Sequence, residues 1–221
     1  MKINNIILKH YLKNVYFING TAYAGKSTMA AMLAKKYNLI LCEENYHQEL
    51  ADKLATKEQY PNLCYFKTMG SWQEFLNRTP QEYADWINGA TRELVEFEIA
   101  ELIHISKYQK VIVDTNIPID ILKEIADYHQ VAIMLSTQSM SVDKFFDRSD
   151  PDKQFLFSHI EEADNPIKTM ENFRECIAKI NSKECYDAFA NSGFFTVVRE
   201  DTKEDTRETT LDILAKHFKL K

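Results

Sequence analysis

No stretch of the chain approaches the run of about 20 apolar residues that a membrane-spanning helix needs. The first ten residues, Met1 to His10, hold neither an uninterrupted apolar core nor a small-residue cleavage site. The expectation is a cytoplasmic protein with no membrane partner. Cysteine is sparse and unpatterned: Cys42, Cys64, Cys176 and Cys185 form no C-x-x-C pair and sit within apolar or helical patterns. They read as reduced thiols with packing roles, not as a disulfide frame or metal site. Positive charge is in deficit, 27 Lys and Arg against 33 Asp and Glu for a net charge of -6. That argues against nucleic acid as the main partner, whose binding is driven by clustered cations. A single triphosphate is not excluded, because a few cations beside backbone N–H groups suffice at short range. There is no internal repeat, low-complexity tract or linker, and glycine occurs only five times.

What is present is ordinary globular composition, 45% apolar and 27% charged over 221 residues, which predicts one domain over 1–221. Short apolar runs at 15–18, 39–42, 111–113, 131–135 and 194–198 alternate with helical periodicities. Several runs are nearly all apolar, as strands covered on both faces should be. The pattern predicts an α/β fold with a parallel sheet between helices. One long helix is marked by Thr79 as N-cap, Pro80 at its first position and Glu82 completing a capping box. Tyr83, Trp86, Ile87, Ala90, Leu94, Ile99, Leu102 and Ile103 give it a mostly apolar face up to about Ser106. A second start stands at Asp164-Asn165-Pro166, and a last helix is expected over about 205–218.

Two of the five glycines fall where the first strand turns into a helix, in Gly20-Thr21-Ala22-Tyr23-Ala24-Gly25-Lys26-Ser27, followed by Thr28. This is the full G-x-x-x-x-G-K-S pattern of a phosphate-binding loop, with strand before and helix after. Glycine is needed because successive N–H groups must curl around phosphates without a Cβ in the way. Lys26 is expected to reach the β- and γ-phosphates, and Ser27 to place its hydroxyl on Mg²⁺. The helix N-terminus adds positive potential where the anion sits.

Asp114 closes the third apolar run, the position of an acid that holds the Mg²⁺ shell, alternatively a strand-end cap. Glu43 and Glu44 stand at the C-terminal end of the second strand, an edge where ligands of open α/β sheets collect. One of them is expected to orient and deprotonate an acceptor hydroxyl. Adjacent residues there point in opposite directions, so at most one serves, and a solvated loop acid is the alternative. The charged segment 141–153 reads as part of a lid over about 139–164. Within it Arg148 is the candidate to neutralise charge on the transferring group, unless it pairs with Asp147 or Asp150.

On these residues the chain resembles the nucleoside-monophosphate-kinase-like group of P-loop proteins, which includes adenylate, shikimate, gluconate and chloramphenicol kinases. The specific part is Gly20 to Ser27; Asp114 and the Arg148 segment match by position and residue type. The resemblance implies a three-layer P-loop fold with a five-stranded parallel sheet in order 2-3-1-4-5, helices on both faces and a lid. It also implies an acceptor-binding insertion, about 46–80 here, whose Tyr46, Tyr60, Tyr65, Phe66 and Trp72 either stack a planar acceptor or pack the domain. Two departures matter. The third strand runs into Asp114-Thr115-Asn116-Ile117-Pro118 and lacks the phosphate-contacting arginine of many nucleoside monophosphate kinases, which favours an acceptor without phosphate. No Asn-Lys-x-Asp motif appears, which favours ATP over GTP.

The expected function is an ATP- and Mg²⁺-dependent phosphotransferase acting on a hydroxyl of a small molecule such as a nucleoside, sugar or antibiotic-like compound, as monomer or homodimer. The alternatives are a P-loop NTPase driving a partner, or a nucleotide-binding regulator without transfer.

Overall fold

The structure, a computed structural model, describes residues 3–143, 145, 151–200 and 204–221. Its elements run α1 (Asn5–Tyr11), β1 (Val15–Gly20), α2 (Lys26–Tyr37), β2 (Ile40–Cys42), α3 (Gln48–Leu54), α4 (Tyr65–Thr68), α5 (Trp72–Leu76), α6 (Pro80–Ile105) and β3 (Val111–Asp114). They continue with α7 (Ile119–Ile125), β4 (Val131–Ser136), α8 (Gln138–Asp143), α9 (Pro151–Glu161), α10 (Pro166–Ile180), α11 (Lys183–Ala190), β5 (Phe195–Arg199) and α12 (Arg207–His217). Among the described residues no helix is long and apolar enough to cross a membrane.

The five strands form one sheet in the order β2-β3-β1-β4-β5, and every pairing is parallel. Alternation along each strand sends successive side chains to opposite faces. Val15 and Phe17, Val111 and Val113, and Val131, Ile133 and Leu135 pack into one core with Val95 and Leu102 of α6 and Leu122 and Ile125 of α7. Tyr16 and Ile18, Ile112, and Ala132 and Met134 pack into another with Met29, Ala30 and Leu33 of α2 and Leu211 and Leu214 of α12. A strand apolar at every position therefore serves two cores, and the near-continuous runs in the sequence follow from that.

A third cluster joins Phe75 of α5, Tyr83 of α6, Ile160 of α9, and Phe173 and Ile177 of α10. The aromatics of the insertion pack chiefly here: Tyr65 and Trp72 lie against it, and the Trp72 ring stacks on His159 at 5.2 Å with an interplanar angle of 16°. Tyr46 packs instead against the first core, and Tyr60 against Phe97 with ring centroids 4.9 Å apart. These four pack within the domain; Phe66, the fifth ring of the insertion, is 44% exposed and lies against Phe75 with ring centroids 5.1 Å apart.

Helix ends follow local chemistry. Thr79 and Glu82 form the capping box of α6, with the Thr79 N–H donating to Glu82 Oε2 at 2.8 Å and the Glu82 N–H to Thr79 Oγ1 at 3.3 Å. Asn165 caps α10 ahead of Pro166, its Oδ1 accepting the Lys168 N–H at 3.2 Å. β1 runs two residues beyond its apolar stretch, because Asn19 and Gly20 stay in register with Ile133 and Met134 of β4. That extension carries the strand directly into the glycine turn.

Candidate functional site

The parallel sheet gathers the C-terminal ends of β1, β2, β3 and β4 on one edge. Gly20, at the end of β1, has φ +133°, and a Cβ there would stand 1.8 Å from the Met134 carbonyl oxygen. Only glycine fits against β4 at that point. Asn19 fastens the root of the turn: its Oδ1 accepts the Gly20 N–H at 2.6 Å, and its amide donates to the Ile117 carbonyl at 2.7 Å. Gly25 has φ +87°, the left-handed region, and is the N-cap of α2, so Lys26 and Ser27 open that helix.

Within the turn the carbonyls are held from outside. The Ala22 carbonyl accepts the hydroxyls of Ser136 (2.6 Å) and Ser141 (2.9 Å), and the Tyr23 carbonyl accepts Arg199 Nη1 (2.8 Å). In a trans peptide the C=O and the following N–H point in opposite directions. The N–H groups of Tyr23 and Ala24 therefore face away from these partners, as an anion-binding concavity requires. Lys26 Nζ lies 3.3 Å from the Thr21 carbonyl, folded over the turn.

Ser27 Oγ donates to Asp114 Oδ2 at 2.6 Å, joining the start of α2 to the end of β3. Asp114 is 2% exposed, and its Oδ1 is buried with no hydrogen-bond partner among the described residues. Burial raises its pKa above the ordinary carboxylate value, opposed by the Lys26 charge and the Ser27 hydrogen bond. An orphaned carboxylate oxygen beside a serine hydroxyl offers oxygen ligands of the kind Mg²⁺ takes. Among the described residues no group of three or more His, Cys, Asp or Glu could hold a metal ion.

Glu43 and Glu44 part company at the end of β2. Both are exposed, but Glu44 alone borders a small cavity of about 50 Å³, shared with His47, Thr91, Leu94, Glu98 and Asn116. Asn116 Nδ2 donates to Glu44 Oε1 at 2.6 Å and fixes its orientation. Glu98, from the middle of α6, is 4% exposed and accepts the Thr115 hydroxyl at 2.5 Å. Burial lifts its pKa to about 7; the Thr115 hydrogen bond opposes this, and the charges of Asp114 and Glu44 add to it. His47 is also 4% exposed, and neither ring nitrogen has a hydrogen-bond partner among the described residues. Its burial lowers its pKa, opposed by the charge of Glu44.

No family model matches the chain. No curated protein does either. Among solved structures the chain is similar to an uncharacterized protein from Eubacterium ventriosum ATCC 27560, with a TM-score of 0.39 at 15% identity over 94% of this chain and 98% of the other.

The structure thus joins Ser27 of the glycine turn to Asp114, sets Glu44, whose charge acts on Asp114, at the edge of the cavity, and leaves Glu43 outside it. Arg148 lies outside the described residues. Sequence reasoning missed Glu98, His47, Asn116 and Arg199. For Glu98 a signal existed: it sits four residues after Leu94 and four before Leu102, on the stripe that reads as the buried face of α6. A larger open cleft of about 530 Å³ over Asn62, Glu74, Arg78 and Trp86 shares no lining residue with the glycine turn or the Glu44 cavity. Arg78 is stacked 3.9 Å above the Tyr65 ring centroid, a packing contact as much as a polar one.

Proposed function

We propose that the chain is a cytoplasmic P-loop phosphotransferase of the nucleoside-monophosphate-kinase-like kind, moving the γ-phosphoryl group of ATP to a hydroxyl of a small molecule. The observation that carries this reading is the Ser27–Asp114 contact of 2.6 Å directly behind a glycine turn whose lysine folds over it. In the reaction so assigned, the acceptor oxygen bonds to the γ-phosphorus and the bond from that phosphorus to the bridging oxygen breaks. ADP leaves, and the hydroxyl proton passes to a carboxylate. Glu44 suits that last part, since it is exposed, borders the cavity and is oriented by Asn116.

Mg²⁺, held on Ser27 and Asp114, would neutralise charge on the phosphate oxygens. Lys26 would add a fixed positive charge there, and Arg148 is proposed from the sequence to do the same from the lid. A cavity lined by Glu44, Glu98 and Asn116, two residues beyond Asp114, supports transfer to an acceptor over hydrolysis that drives a partner.

The test is ATP consumption by the full chain with Mg²⁺ against a panel of nucleosides, sugars and antibiotic-like compounds. Lys26→Ala should abolish consumption with the melting temperature unchanged, because Lys26 lies outside all three apolar clusters. Unaltered turnover in that variant would overturn the reading.

A further inference from the structure

A line of four hydrogen bonds runs from the middle of α6 to the root of the glycine turn. Thr115 Oγ1 donates to Glu98 Oε1 at 2.5 Å and accepts the Ile117 N–H at 2.9 Å. The Ile117 carbonyl accepts Asn19 Nδ2 at 2.7 Å, and Asn19 Oδ1 accepts the Gly20 N–H at 2.6 Å. The line lies inside the protein: Glu98 is 4% exposed, Thr115 and Asn19 1%, and Ile117 0%. A polar group buried this far carries the full cost of desolvation when its partner goes, so each link holds the next in place. Thr115 is the joint. Its hydroxyl has one hydrogen, given to Glu98, and its oxygen lone pairs are left for the Ile117 N–H.

We propose that Thr115 is a positioning residue for the phosphate-binding turn, acting through Ile117 and Asn19 and anchored on Glu98. A loop that must be ordered when its ligand arrives binds more weakly than one already in shape. The turn is held from one side by Ser136 and Ser141 on the Ala22 carbonyl and by Arg199 on the Tyr23 carbonyl. The line through Thr115 holds its root from the other side, from the loop after β3 and from α6. Thr115 itself touches no nucleotide in this scheme; it sets the direction of Asn19, and Asn19 sets the Gly20 N–H at the point where φ is +133°. Because Glu98 also lines the cavity beside Glu44, the nucleotide and acceptor sides share one buried support. The inference rests on the phosphotransferase reading to the extent that the turn binds nucleotide phosphates, and it needs no transfer to occur.

The test is ATP affinity of the full chain, measured by calorimetry with Mg²⁺ and again in EDTA. Thr115→Val keeps the shape of the side chain without its hydroxyl, and should weaken binding roughly five- to tenfold in both conditions, the scale of one buried hydrogen bond. Thr115→Ser, which restores the hydroxyl, should bind like the wild type. Thr115→Ala takes the place of Thr115→Val if the latter does not fold. Asn19→Ala should also weaken binding, and the double variant with Thr115→Val should lose no more than Asn19→Ala alone, because both lie on one line. Ile125→Val, a change in the same core away from the line, should lower the melting temperature and leave the affinity unchanged. Unchanged affinity without the hydroxyl, a loss that serine does not restore, or additive losses in the double variant overturns the proposal. So does an equal loss in Ile125→Val, which would make the effect general loosening. A loss seen only with Mg²⁺ overturns it too, since Thr115 would then act through its neighbour Asp114. Failure of the phosphotransferase reading looks different: the wild type itself would bind no ATP, and both readings would fall together.

Discussion

Glu98 offers the sharpest physical test of the site, because its environment has a consequence for stability that needs no substrate. In the folded chain its pKa rises from 4.5 to about 7, chiefly through burial, with the charges of Asp114 and Glu44 adding and the Thr115 hydroxyl opposing. The folded state therefore binds this proton more tightly than the unfolded state. For a carboxyl raised in this way, the stabilisation is fully present below the unfolded pKa of 4.5 and is lost as pH climbs through about 7. At about 1.4 kcal/mol per pKa unit, the loss across that window is on the order of 3 kcal/mol.

The perturbation is Glu98→Gln, which keeps the shape and the acceptor oxygen for Thr115 but carries no proton to lose. Urea or thermal unfolding of both proteins at a series of pH values supplies the assay, read as wild type minus variant so that the other carboxylates cancel. Across the window from 4.5 to about 7 the wild type should lose melting temperature relative to Glu98→Gln. The expected loss is roughly 6–12 °C for a chain of this size. Two parallel curves would refute the placement of Glu98 as a buried carboxyl with no cation beside it. So would a slope of opposite sign.

Asp114→Asn should shift the Mg²⁺ dependence of ATP consumption to higher concentration and lower the rate, whereas an unchanged titration would make Asp114 a strand-end cap on Ser27 alone. Gly20→Ala should cost roughly 4 kcal/mol or more in unfolding free energy, since the new methyl would meet the Met134 carbonyl oxygen at 1.8 Å; a variant as stable as wild type would contradict the close approach of β1 and β4. Arg199→Ala should weaken ATP binding by about tenfold or less, measured by calorimetry, because it frees the Tyr23 carbonyl that Arg199 holds at 2.8 Å. An unchanged affinity would show that the turn keeps its shape without that bond.

The parts of the fold legible in the sequence are those set by neighbours along the chain. The capping box at Thr79 and Glu82, the cap at Asn165 and the glycine turn each depend on a few consecutive residues, and each stands where the sequence places it. The strand runs are legible because a doubly covered strand must be apolar on both faces, and the two cores divide them by alternation. The cavity is not legible in this way. His47 follows a strand by a short turn, Glu98 sits mid-helix and Asn116 lies beyond β3, so only the parallel pairing of β2 with β3 and the packing of α6 beneath them bring the three together. An acid on an apolar stripe is the trace such an arrangement leaves in sequence. Glu98 shows that it carries more information than an acid in a charged loop such as Glu43.

Sheet order also explains why two opposite chemistries can share one edge. β1 lies between β3 and β4, and the chain leaves β1 toward β2 and β3 on one side before returning to β4 and β5 on the other. At such a switch point the connections diverge and a crevice opens at the strand ends. Charge sorts along it: Glu44 and Asp114 stand at the ends of β2 and β3, while Lys26 follows β1 and Arg199 ends β5. Under the proposed reading the nucleotide phosphates meet the cationic side and the acceptor hydroxyl the acidic side, with Ser27 and Asp114 touching at the boundary. A chain with net charge -6 can bind a polyanion on these terms. The relevant field is the one within a Debye length of the turn, about 8–10 Å, where Lys26, Arg199 and the backbone N–H groups stand opposite Asp114.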